Sequence, residues 1–191
     1  MRTRTTAATA AALLLAALTA CSSDSKSTAE SKPGAKPSSS PEATSAPSPD
    51  VPLAFGTLSD WKTSDGTEGT TTVLDYKQPV TGVTFTSTGL GYTDPEWAYA
   101  EVKVCNKRGT TITVSQAPWS LGLKDGGRIT PHILDGPGLP QPQYPTQGAK
   151  VKAGGCVRGK VPVIMEKGAR PDRVIYETAD EEPVEWAVPA K

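Results

Sequence analysis

The chain has 191 residues, 36% of them hydrophobic, with 20 basic and 20 acidic side chains. Balanced charge gives no sign of the basic patch or stripe that nucleic-acid binding requires. A single histidine and three cysteines leave too few ligands for a zinc site once the cysteines are otherwise used.

Residues 1–20 open with Met-Arg-Thr-Arg, continue as a run rich in Ala and Leu, and end Leu18-Thr19-Ala20-Cys21. A basic start, a short apolar core and a small-residue exit predict a secretory signal peptide. The apolar run, about residues 7 to 17, is too short to cross a bilayer as a permanent helix. Arg2 and Arg4 are not adjacent, so no twin-arginine signal is read. Leu18-Thr19-Ala20-Cys21 resembles the bacterial lipobox. That resemblance implies a diacylglycerol thioether on Cys21 and cleavage just before it. Two acyl chains hold a protein stably where one holds it marginally. The expected location is the outer face of the bacterial cytoplasmic membrane, with membrane lipid as a partner through Cys21 and the head extracellular. A plain signal peptide with an incidental cysteine is the alternative.

Residues 21–52 form the predicted tether. From Ser22 to Asp50 the chain has no aromatic residue and no Leu, Ile, Val or Met, and it carries Pro33, Pro37, Pro41, Pro47 and Pro49. Such a tract buries too little surface to offset the entropy of ordering. As a coil of about 30 residues it reaches roughly 30 Å, enough to hold a folded head off a membrane.

The head, residues 53–191, reads as all β. Leu53, Phe55, Leu58 and Trp61 begin it, and Asp65-Gly66 and Glu68-Gly69 mark turns. Strands are predicted at 70–76 and 83–87. The central strand is 98–106, in which Ala98, Ala100, Val102 and Val104 share one face. Tyr99, Glu101, Lys103 and Cys105 share the other, so the period is that of a strand with one face on a core and one in water. Further strands are predicted at 110–115 and 118–123. Asp125-Gly126-Gly127 is a hairpin signal, with a return strand over 128–134. Residues 135–145 are dense in Pro and Gly and predict an irregular surface loop. A short strand at 148–152 leads to a second central strand, 156–165, with Val157, Val161 and Val163 inward. Pro162 cannot donate to a ladder, so a bulge or the end of pairing is expected there. Strands around 174–176 and 184–188 finish the chain. About eight to ten short strands with turn signals every 8–12 residues, and no convincing helix, predict an antiparallel β-sandwich.

With Cys21 acylated, Cys105 and Cys156 remain as a pair. Both lie at strand ends and out of phase with the core valines. A disulfide between the two central strands is expected, the alternative being two separate thiols.

Tyr99-Ala-Glu-Val-Lys-Val-Cys105-Asn106, Pro118-Trp119-Ser-Leu, Asp125-Gly126, Gly154-Gly-Cys156-Val-Arg-Gly159 and the closing Glu185-Trp186 together resemble a known family. It is the telokin-like, immunoglobulin-like extracellular domain of unknown function carried by many Gram-positive lipoproteins. The pattern covers about residues 70–190. The resemblance implies an immunoglobulin-like sandwich, a membrane-anchored surface location and a role in protein contacts or surface-antigen behaviour. It implies no catalytic residues and no cofactor. Cys105 and Cys156 depart from the commoner cysteine-free pattern and are similar to the actinobacterial branch. The loop 135–145 is longer than the family suggests.

Catalytic signatures are missing from the sequence. His132 has no Gly-x-Ser-x-Gly elbow to serve and reads as a surface or half-buried structural residue. Asp180-Glu181-Glu182 has carboxylates suited to loose calcium binding, but reads better as a solvated acidic turn. Trp119 and Trp186 share a phase with apolar neighbours and are expected in the core. Trp61 and Trp97 remain candidates for exposed aromatics. The loop around Leu139 and Tyr144 is the expected contact surface, since rigid loops on a scaffold often carry binding. The expected function is a non-catalytic lipoprotein head that binds an extracellular protein or cell-wall component. The alternative is a carbohydrate- or peptidoglycan-binding module that uses Trp61 or Trp97.

Overall fold

The computed structural model describes residues 51–179 and 181–190. The leader, Cys21 and most of the tether lie outside the described residues, as does Asp180 of the acidic turn.

Ten strands run in the order β1 (Ser59–Lys62), β2 (Glu68–Lys77), β3 (Pro95–Arg108), β4 (Ile112–Val114), β5 (Trp119–Leu123), β6 (Arg128–Ile129), β7 (Ala149–Val151), β8 (Cys156–Glu166), β9 (Pro171–Tyr176) and β10 (Val184–Ala187). Every strand pair is antiparallel. One sheet has the order β1-β2-β3-β8, the second β10-β9-β5-β6, and β4 pairs with β7 separately. The fold class is therefore an all-β sandwich.

Two-residue alternation builds its centre. Ala98, Ala100, Val102 and Val104 of β3 join Val73 of β2 and Val161, Val163 and Met165 of β8 on the inner face of the first sheet. Trp119 and Leu121 of β5, Val174 of β9 and Trp186 of β10 close on them from the second. Trp119 touches the rings of Tyr176 at 4.7 Å and Trp186 at 6.2 Å between centroids. Burial of these rings with the aliphatic residues around them supplies the non-directional driving force for sandwich formation.

Four expectations are corrected. First, β8 is an edge strand of its sheet, not a central one. That resolves Pro162, which pairs with Tyr99 in unbroken register, without a bulge. An edge strand tolerates proline because its outward N–H has no ladder partner to lose. Second, the other face of β3 is covered at its Trp97 end, while Glu101, Lys103 and Cys105 stay partly exposed. Trp97 is 8% exposed and packs with Ile164 of β8 and Leu139 in a second apolar cluster. Third, residues 83–87 form no strand. Val83 and Phe85 instead lie over this cluster with Val80, Leu90 and Tyr92. The Phe85 ring meets Trp97 edge-on at 6.1 Å. Fourth, the return strand 128–134 stops at Ile129. Pro131 offers no N–H, and Ile133 takes φ 53°, outside the β region.

Candidate site: a cleft around Trp61

Residues that begin the head build the most developed concavity. β1 was not expected as a strand; it pairs Ser59↔Thr71, Asp60↔Thr70, Trp61↔Gly69 and Lys62↔Glu68 with β2. Alternation turns Ser59 and Trp61 inward and Asp60 and Lys62 outward. Trp61 lies over Gly69, where a Cβ would sit 2.0 Å from its ring carbon Cζ2. Only glycine admits the indole there.

Three depressions meet at Trp61. The largest, about 500 Å³, lies between β1, β4 and the end of β9, with Ile112, Val114 and Tyr176 as its apolar wall. A second, of about 240 Å³, runs along all of β1 and reaches Thr71, Glu182 and Val184. A third, of about 270 Å³, continues over Gly69 toward Lys107. The groove thus follows the free edge of the first sheet and opens at one end into an apolar lobe.

Two polar groups in this groove lack partners among the described residues. Thr71 is 0% exposed, yet its Oγ1 makes no hydrogen bond. The Trp61 Nε1–H is also buried and unpaired. An unsatisfied buried donor or acceptor typically costs about 1–3 kcal/mol. Burial pushes the Tyr176 phenol up to about 12, and the Glu181 charge adds to the shift, so the phenol is neutral at physiological pH.

The end of the groove is braced by the 63–67 turn. The Asp65 carboxylate accepts from Thr63 Oγ1, from Thr67 N at 3.1 Å and from Thr110 Oγ1 at 3.1 Å. These bonds hold its pKa down to about 2, the Thr63 hydroxyl contributing most. Glu68 is likewise lowered to about 2, by Arg108 first and Lys62 second. The charges of Asp60 and Lys62 are matched within the head, by Lys107 at 2.6 Å and Glu68 at 3.1 Å.

The residues singled out from sequence lie elsewhere. Leu139 (4% exposed) and Tyr144 (1%) are buried, which corrects the expectation that they present a contact surface. Leu139 joins the Trp97 cluster, and the Tyr144 ring meets Trp119 edge-on at 6.3 Å. Their loop folds back along β8: Tyr144 N donates to Lys160 O at 2.9 Å and Lys160 N to Pro142 O at 2.8 Å. Gly159 permits this approach, since a Cβ there would lie 2.5 Å from Tyr144 N. Cys105 and Cys156 sit opposite each other at the end of the β3–β8 pairing and are bonded. His132 is exposed and its Nε2 lies 2.9 Å from the Tyr92 hydroxyl. No group of three or more His, Cys, Asp or Glu suited to a metal occurs among the described residues. Of the candidates read from sequence, Trp61 enters the cleft, and Glu181 and Glu182 of the acidic turn line it. Thr71, Ile112 and Tyr176 were missed, because no local pattern marks residues that meet only after four strands assemble.

No family model and no curated protein matches the chain. Two solved structures do. MPT63, a secreted protein of Mycobacterium tuberculosis, is 17% identical, with a TM-score of 0.51 over 73% of this chain and 99% of its own. YcdA of Bacillus subtilis, provisionally assigned as a lipoprotein, is 17% identical, with a TM-score of 0.45 over 69% of this chain and 38% of its own. The likeness to MPT63 is one of fold.

Proposed function

We propose that the chain is an exported, lipid-anchored surface protein of the telokin-like, immunoglobulin-like type. Its head binds an extracellular protein or envelope component without catalysing a reaction. The observation that carries this reading is the Trp61 groove, which combines an apolar lobe, unpaired polar groups and a rim of both charges. Clefts that join an apolar wall to a few convergent polar groups are the usual form of a binding site. MPT63, which is similar in fold, is itself a secreted protein.

Crosslinking on intact cells tests the proposal. The wild type captures a defined species, and Trp61→Ala with an unchanged melting curve loses it. Equal capture by the variant rejects the groove as the binding surface. Turnover in an untargeted hydrolase screen, abolished by a single head substitution, rejects the non-catalytic reading. Cys21→Ala is expected to release the protein to the medium or leave it unprocessed; unchanged partitioning into detergent counts against the anchor.

Carbohydrate binding is the second reading. Trp61 favours it, since its half-buried ring lies among Ser59, Thr63, Ser64 and Thr113. Trp97 no longer contributes, being buried. Glycan-array binding lost in Trp61→Ala is the result this reading requires.

A further inference from the structure

We propose that the partner presents an extended peptide segment, which adds as a fifth strand on the free edge of β1. This rests on the Trp61 groove being the binding surface, and it names the chemistry of what enters.

The two edges of the first sheet are treated differently. At β8 the outward N–H and C=O of Lys160 are taken by Pro142 and Tyr144, and Pro162 has no N–H to offer. At β1 the phase of the ladder follows from its flanks. Gly56 N donates to Val73 O and Thr63 N to Thr67 O. Together with Ser59↔Thr71 and Trp61↔Gly69, these turn the main-chain groups of Ser59 and Trp61 toward β2. Those of Asp60 and Lys62 therefore point away from the sheet. Among the described residues no backbone hydrogen bond reaches them. Asp60 lines two of the three depressions and Lys62 all three, so this edge borders the groove.

An alternating row of main-chain donors and acceptors is matched by another extended main chain. The lobe between Trp61, Ile112 and Tyr176 takes one apolar side chain. Glu182, exposed on the opposite wall with no ion pair among the described residues, favours a Lys or Arg. The occupant is thus a short extended segment with an apolar anchor and a nearby basic residue.

The probe is a random heptapeptide library displayed on phage, selected on the full-length protein. Recovered peptides are resynthesised and titrated by fluorescence anisotropy. Recovered sequences are expected to pair an apolar residue with Lys or Arg. Asp60→Pro and Lys62→Pro, which remove an outward N–H together with the side chain, are expected to weaken binding about tenfold. Asp60→Ala and Lys62→Ala, which keep the N–H, are expected to lose less than the matching proline variants. A readout free of proline is amide exchange. Bound peptide should slow the Asp60 and Lys62 amides and leave those of Ser59 and Trp61, already bonded to β2, unchanged. Binding that survives both proline variants, or no new protection at Asp60 and Lys62, overturns the inference. So does a homodimer whose β1 edges pair, or binding by glycans alone. If capture on cells is lost in Trp61→Ala but untouched by Lys62→Pro, the groove stands as the binding surface and strand addition falls. Capture indifferent to Trp61→Ala removes the groove itself.

Discussion

Replacing Cys105 and Cys156 together by alanine measures how much of the stability resides in the unfolded chain. The bonded residues are 51 apart, and closing a loop of that length removes about 4 kcal/mol of conformational freedom from the unfolded state. The native side changes little. Cys156 is exposed and Cys105 half-buried, so two alanines open no core cavity. The neighbouring pairs from Pro95↔Glu166 to Val104↔Val157 hold β3 against β8 without the bond. The expected loss is therefore close to the full loop term, lowering the melting temperature by roughly 8–16 °C for a head of this size. Urea unfolding of the double variant, and of the wild type under reductant, should give the same loss. The slope against urea should be equal or steeper, because the unbridged chain expands further. A loss below about 1 kcal/mol in both samples refutes the argument. A loss in the alanine variant alone would place the effect in native packing instead.

Other expectations follow from the same geometry. Gly159→Ala drives a Cβ into Tyr144 N and lifts the 142–144 segment off β8. A loss of about 1–3 kcal/mol and concentration-dependent light scattering are expected, and an unchanged melt sinks the idea. Ile164→Ala tests the second apolar cluster. Ile164 lies on the outward face of β8 yet is 0% exposed, so a core-like loss of about 2–4 kcal/mol is expected; a surface-like loss near about 0.5 kcal/mol would leave that face solvated. Stability should also fall in acid. Asp65 and Glu68 have folded pKa values depressed to about 2. Their contribution is complete above the unfolded value of about 4 and disappears as pH drops from there toward about 2. Asp65→Asn with Glu68→Gln should flatten the stability profile across that window, and an unaltered slope argues that other carboxylates govern it.

Most strands were legible because period-two alternation is a local property. The inner valines of β3 and β8 stand where alternation put them, and the Trp119 and Trp186 phases read correctly as core. What escaped depends on partners far along the chain. Whether a strand is central or at an edge is decided by its neighbours, so β8 looked central although Pro162 already pointed to an edge. Trp97 and Ile164 lie on a face that alternation assigns to water. They are buried because residues 80–92, read in part as a strand at 83–87, fold over them as irregular chain. Leu139 and Tyr144 were taken as surface because Pro- and Gly-rich loops usually lie there. Their loop instead follows a strand edge, an arrangement that depends on the missing Cβ of Gly159. The candidate site was the least legible part. Trp61 stood out by residue type, whereas Thr71 looked like any strand threonine until β1 covered it.

Edges decide how the groove is best understood. A free strand edge invites unwanted pairing, and proteins blunt it by brevity, charge, proline or a covering segment. Here β8 is covered by its loop and carries Pro162. β10 receives Leu53, whose N donates to Glu185 O and whose O accepts from Ala187 N, and β6 is two residues long. β1 has only brevity and the charges of Asp60 and Lys62. Those two devices alone fit a guarded edge with no ligand. They do not account for the apolar lobe of about 500 Å³ beside the strand, because protection against aggregation does not require one. A lobe of that kind takes an apolar side chain and so selects which segment the edge accepts. The same short, charged strand can therefore resist indiscriminate pairing and still accept one complementary segment. Ile112→Ala separates the two roles: the variant trims the wall of the lobe and should weaken a bound peptide while the empty head still folds. A variant that loses stability with peptide affinity unchanged would make Ile112 a structural residue only.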